Sequence, residues 1–138
     1  MTFNPEASLK FEGRTGPFCL YAYARTASIL RKTGGEHSIN PNAAGLELLT
    51  SDLEVAIIKN LMAFPGVAAR AAENQDPSKI AEHAWKLSKS FASFYDKHSV
   101  INAESPELKE ARLQLILALN TVIKISLGLL GIDVLEQM

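Results

Sequence analysis

The stretch Thr15-Gly16-Pro17-Phe18-Cys19-Leu20-Tyr21-Ala22-Tyr23-Ala24-Arg25-Thr26-Ala27-Ser28-Ile29-Leu30-Arg31-Lys32-Thr33-Gly34-Gly35 decides how the rest of the chain is read. Pro17 fits the first turn of a helix, where its missing N–H is not needed. The run to Thr33 contains no breaker, and Gly34-Gly35 supplies a stop. The spacing predicts a helix over 17–33. At about 100° per residue its side chains divide into two faces. Leu20, Tyr23, Ala27 and Leu30 form a core stripe. Phe18, Tyr21, Arg25 and Lys32 gather on the other side, with Ala22 and Ser28 among them.

Working outward, the same start and stop signals recur. Residues 1–16 hold Pro5, Gly13 and Gly16 with no helical period, and read as an extended lead-in. Residues 34–45 read as a surface loop that carries His37. Ser51 and Glu54 have capping-box spacing and open a second helix to about Ala63. Pro65 is expected to end it and to start a short third helix reaching Asn74. Asp76-Pro77 opens a fourth, with Ile80, Ala84, Leu87, Phe91 and Phe94 facing inward. Ser105-Pro106 opens a fifth, with Leu108, Leu115, Leu119, Val122, Ile123, Leu127 and Leu130 facing inward and Gly131 as its stop. No segment shows the alternation of a half-buried strand. The expected architecture is all-α: a helical bundle of about five helices over 17–138.

Composition narrows the function. A chain of 138 residues, 47% hydrophobic and 21% charged, has the size and balance of one folded domain. With 14 Lys+Arg against 15 Asp+Glu there is no bulk positive field, so any nucleic acid must be recognised by a local cluster. One cysteine and three scattered histidines give no metal-ligand spacing, and the lone Cys19 points to a reducing, cytoplasmic setting. The apolar run Leu113 to Leu130 is interrupted by Gln114, Asn120, Lys124 and Ser126 and reads as a buried helix, so no membrane is expected. Neither a phosphate-cradling glycine loop nor a nucleophile with its base is present, so no catalytic residue is expected. Trp85 is expected to pack, and His83 and His98 to be solvated.

The outer face of the first helix carries the binding chemistry. Aromatic rings offer unpaired bases a stacking platform, each worth about 1–3 kcal/mol, and arginine adds a planar fork of donors for phosphate or base edges.

The segment from Thr15 to Arg25, continued by Ser28-Ile29-Leu30-Arg31, closely resembles the first helix of the DALR-type anticodon-binding domain of arginyl-tRNA synthetases. The likeness continues in family order through Phe64-Pro65-Gly66-Val67, Phe91-Ala92-Ser93-Phe94-Tyr95, Ala111-Arg112-Leu113, Leu129-Leu130-Gly131-Ile132 and the terminal Met138. The resemblance implies a C-terminal helical bundle that receives the anticodon loop of the tRNA for arginine. A separate catalytic body, joined in cis through residues 1–16, would supply arginine activation with ATP and Mg2+. This domain itself would need no cofactor, would be non-catalytic and would act as a monomer. By the same resemblance the tRNA contacts are Phe18, Tyr21, Arg25, Tyr95, Ser99 and Met138. Leu20 stands where the family usually has glutamine, Ser99 where some relatives carry tryptophan, and Gln137 where a terminal arginine is frequent. A helical protein-interaction or dimerisation bundle of synthetase ancestry is the competing expectation.

Overall fold

The computed structural model describes residues 5–8, 15–34 and 37–135. Four long helices make the bundle: α1 Gly16–Lys32, α2 Asp52–Glu73, α3 Ser78–Lys97 and α4 Pro106–Leu129. A single helical turn, Pro5–Ser8, lies in the lead-in expected to be extended, and a 3-10 turn, Leu46–Leu48, lies in the loop after α1. No strand occurs among the described residues. The all-α expectation is met with one helix fewer.

The missing boundary is Pro65, which lies inside α2 rather than between two helices. Proline lacks the N–H that would bond the Leu61 carbonyl, and its ring crowds that carbonyl. Here the residue is exposed, so the affected carbonyl side can lean to water while the opposite side stays packed.

The remaining start and stop signals act as read. Thr15 accepts the Phe18 N–H at 3.3 Å to cap α1. At its other end the Thr33 hydroxyl donates to the Leu30 carbonyl at 2.8 Å, and Gly34 takes φ +81°. His37 is not free in its loop: Nε2 sits 2.9 Å from Thr33 Oγ1 and 3.1 Å from the Leu30 carbonyl, closing the same helix end. Ser51 and Glu54 complete the capping box of α2, with the Glu54 N–H donating to Ser51 Oγ and the Ser51 N–H donating to the Glu54 carboxylate. Asp76 accepts the Ser78 N–H at 3.1 Å ahead of α3, and Ser105 accepts the Leu108 N–H at 3.1 Å ahead of α4. Gly131, at φ +73°, lets the Ile132 N–H return 2.9 Å to the Leu127 carbonyl, a Schellman-type end.

Helices α3 and α4 pack on each other, and α1 and α2 each lie against both of them. Phe94, Leu87, Ile57, Ile116, Leu119, Ile123 and Leu127 fill the centre. Small polar residues let the helices come close: Thr26, Ser88 and Ser126 are fully buried, and each returns its hydroxyl to a carbonyl of its own helix. Asn120 of α4 donates to Thr26 Oγ1 at 2.9 Å and so ties α4 to α1. By length and hydropathy α2 and α4 are both apolar enough to cross a membrane. In α4 that apolar character lines the core. Much of α2 is instead open, with Met62 76% exposed.

Two expectations on α1 and α3 are corrected by the way they are packed. Ala22, placed by the helical wheel on the outer face, is in the core, because α1 is covered by two helices and buries a wider arc than one stripe. His83, expected in solvent, is 5% exposed. Its Nε2 donates to the Asn60 carbonyl at 2.8 Å, and its ring lies 5.7 Å from that of Phe64. It falls three residues after Ile80 and four before Leu87, on the stripe that faces α2. Trp85 packs against the core as expected, with Lys89 Nζ 5.2 Å over its ring.

Candidate nucleic-acid interface

The candidate site is built where the middle of α1 meets the end of α3. Arg25 projects from the exposed side of α1 and lays its guanidinium 4.8 Å over the ring centroid of Tyr95, on the last turn of α3. The same guanidinium is 5.8 Å from the ring centroid of Tyr21, one turn earlier on α1. Both rings remain open to solvent, Tyr21 at 47% and Tyr95 at 39%. Phe91 supports Tyr95 from the core side, with ring centroids 5.7 Å apart. The consequence is a solvent-exposed cation flanked by two aromatic surfaces.

Arg25 is exposed, and among the described residues no carboxylate comes within ion-pairing distance of it. The neighbouring wall is the turn after α3. A groove of about 260 Å³ runs between Arg25, Ser28 and Lys32 on one side and Tyr95, Ser99 and Asn102 on the other. Ser99 is exposed and accepts the Asn102 N–H at 3.0 Å, which folds the turn back on itself.

Four of the residues expected to contact a ligand, Tyr21, Arg25, Tyr95 and Ser99, therefore meet at one place. Phe18 lies on the same face of α1, one turn before Tyr21, and is half-buried. Met138 falls outside the described residues, as does Gln137. Asn102 and the exposed Ile101 complete the far wall and were not foreseen, since they lie in a turn whose course depends on tertiary contacts.

That turn is fixed from inside by Arg112 of α4. Its Nε donates to Glu54 Oε1 at 2.8 Å, its Nη1 donates to the Ser99 carbonyl at 2.9 Å, and its Nη2 lies 3.3 Å from His98 Nδ1. A guanidinium only donates, so His98 Nδ1 is the acceptor. His98, expected to be solvated, is instead half-buried, with its ring 5.3 Å from that of Phe94. Burial would raise the Glu54 carboxyl, but hydrogen bonds from Arg112 and Ser51, together with the Arg112 charge, hold it below the ordinary glutamate value. Cys19 is buried and unpaired, and burial pushes its thiol up despite a hydrogen bond with Ser88.

A helical bundle that gathers two open tyrosines, an exposed arginine and small polar groups around one surface groove has the form of a recognition module. The chain belongs to the DALR anticodon binding domain family, whose model matches residues 19–138. It is 41% identical over 140 residues to the arginine–tRNA ligase of Phocaeicola vulgatus, covering all of this chain and 23% of that enzyme. It is 43% identical over 136 residues to the arginine–tRNA ligase of Streptococcus pneumoniae, covering 99% of this chain and 23% of that enzyme. Among solved structures it is similar to the Thermus thermophilus arginyl-tRNA synthetase, with a TM-score of 0.86 and 32% identity over 99% of this chain and 23% of that one. The Plasmodium falciparum arginyl-tRNA synthetase matches with a TM-score of 0.77 and 26% identity over 100% of this chain and 24% of that one. The chain thus spans under a quarter of the length of these relatives.

Proposed function

We propose that this chain is the tRNA-recognition domain of an arginine–tRNA ligase and that its groove grips unpaired bases of the anticodon loop of the tRNA for arginine. The observation that carries the reading is Arg25 held between Tyr21 and Tyr95 at the mouth of the groove. Tyr21 and Tyr95 stack on bases, Arg25 and Lys32 meet phosphates or base edges, and Ser99 offers a hydroxyl. Phe18 extends the platform along α1, and Met138 contributes from the terminus. The domain acts as a monomer in the cytoplasm, serving a catalytic body in cis that uses ATP and Mg2+ to attach arginine. This chain performs none of that chemistry itself.

A local cluster on a chain of net charge −1 binds RNA through few phosphate contacts. Fluorescence anisotropy with an anticodon stem-loop from an arginine-accepting tRNA tests this. Binding should exceed that of a scrambled-loop control. The logarithm of affinity should fall with that of salt concentration at a shallow slope of about −1 to −2, the value for two or three phosphates on single-stranded RNA. Equal binding of both loops, or none, contradicts the reading.

A further inference from the structure

The wall of the groove formed by residues 98–102 has no helical ladder of its own. Its internal bond is the Asn102 N–H to Ser99 Oγ contact, and α3 ends at His98, whose N–H returns to the Phe94 carbonyl at 2.8 Å. Two side chains tie this corner to the bundle: Val100, 3% exposed, is sunk in the core, and Arg112 holds the polar backbone on either side of it. Arg112 is 8% exposed, sits between the buried Ala111 and Leu113 on α4, and uses all three of its guanidinium nitrogens. One reaches α2 through Glu54, one reaches the Ser99 carbonyl, and one reaches the His98 ring. Its Cζ also lies 5.8 Å over the ring of Phe94, against which His98 packs from its own side. Glu54 is itself held by the cap of α2, so the tether ends on a rigid helix start rather than on a mobile side chain.

We propose that Arg112, although buried and out of reach of any ligand, is a positioning residue for nucleic-acid recognition: it sets the 98–102 corner against Tyr95 and Arg25 so that Ser99 and Asn102 face the groove. The inference rests on the reading of the groove as an RNA site. The inward pull on the Ser99 carbonyl turns the remainder of that residue outward, and the Ser99 hydroxyl then fixes Asn102. A lysine cannot replace this arrangement. Its ammonium is a compact charge at the end of a flexible stem and cannot present a planar fork that serves both Glu54 on α2 and the two acceptors of the 98–102 corner. Arg112→Lys therefore keeps the charge that Glu54 needs and releases the corner.

The test compares Arg112→Lys and the unaltered chain in three measurements: folded fraction by denaturant titration, backbone amide shifts and hydrogen exchange, and affinity for the anticodon stem-loop. The variant should be folded at the assay temperature, with shift changes and faster exchange concentrated at residues 98–102. Affinity should fall by about five- to twentyfold, because only the fraction of molecules with a formed corner binds and about one charge-assisted hydrogen bond sustains that fraction. Combined with Tyr21→Ala the loss should add in full. Combined with Ser99→Ala it should shrink, since the hydroxyl that accepts the Asn102 N–H is already gone. If Arg112→Lys fails to fold, His98→Leu decides instead: it removes one acceptor, keeps apolar bulk against Phe94, and should loosen the same five residues with weaker binding. Normal affinity in a folded variant with a loosened corner overturns the positioning role alone. Full addition with Ser99→Ala also overturns it. Absence of binding by the unaltered chain overturns the RNA reading and this inference with it.

Discussion

The guanidinium of Arg25 on α1 rests 4.8 Å over the ring of Tyr95 on α3, so two helices far apart in sequence share one surface feature. Neither residue is needed to hold the core. Tyr21, which flanks Arg25, is 47% exposed and lies opposite the buried Tyr23 and Thr26. Tyr21→Ala should leave the denaturant midpoint nearly unchanged and remove one stacking platform, worth about 1–3 kcal/mol, or about fivefold to somewhat over a hundredfold in stem-loop affinity. Tyr21→Phe should retain most of the affinity. A destabilised alanine variant whose folded fraction binds normally would remove Tyr21 from the site.

The buried pair of Glu54 and Arg112 makes the opposite prediction. Removing one partner strands the other charge in the interior, which costs about 3–5 kcal/mol. Glu54→Ala also dismantles the capping box of α2. Chemical denaturation should show a loss of at least about 3 kcal/mol, far above that of Tyr21→Ala. A loss under about 1 kcal/mol would mean that the pair is hydrated and weak.

Acid should reveal the same pair. The Glu54 carboxyl is held below its ordinary value in the folded chain, so its contribution is fully present above the unfolded glutamate value of about 4.3. That contribution is lost as pH falls through the lower, folded value. Thermal melts between about pH 6 and pH 3 should fall steeply in the lower part of that range. In Glu54→Gln that part of the slope should flatten.

Pro65 offers a gain rather than a loss. It interrupts the hydrogen-bond ladder inside α2 at an exposed position. Pro65→Ala restores an N–H for the Leu61 carbonyl and should raise stability by about 1–3 kcal/mol. No change or a decrease in the denaturant midpoint would show that the proline sets a bend that the packing of α2 requires.

Much of this was legible in the sequence because its causes are local. Thr15, Ser51 with Glu54, Asp76 and Ser105 each mark a helix start by a bond spanning two or three residues, and Gly34 and Gly131 mark ends by the left-handed backbone they adopt. The pairing of Tyr21 with Arg25 follows from helical spacing alone. What escaped depends on partners distant in sequence. Pro65 reads as a break, yet the helix continues where its exposed side can bend. His83 and His98 read as solvated because imidazole is polar, yet both rings pack beside aromatic partners, Phe64 and Phe94. The spacing of His83 from Ile80 and Leu87 was a usable signal. Arg112 gave another: a charge flanked by Ala111 and Leu113, inside an otherwise apolar stripe, marks a buried partner. Nothing local shows that the partner is Glu54 or that the pair holds the turn carrying Ser99 and Asn102.

The central claim is that the groove between α1 and the end of α3 is the RNA-binding face. A titration of the isotope-labelled chain with the anticodon stem-loop of an arginine-accepting tRNA, followed by backbone amide shifts, tests it most directly. The account predicts saturable changes concentrated at Phe18, Tyr21, Arg25, Lys32, Tyr95, Ser99 and Asn102, with the open side of α2 around Met62 unaffected. Changes centred on α2, or no saturable change at all, would contradict it.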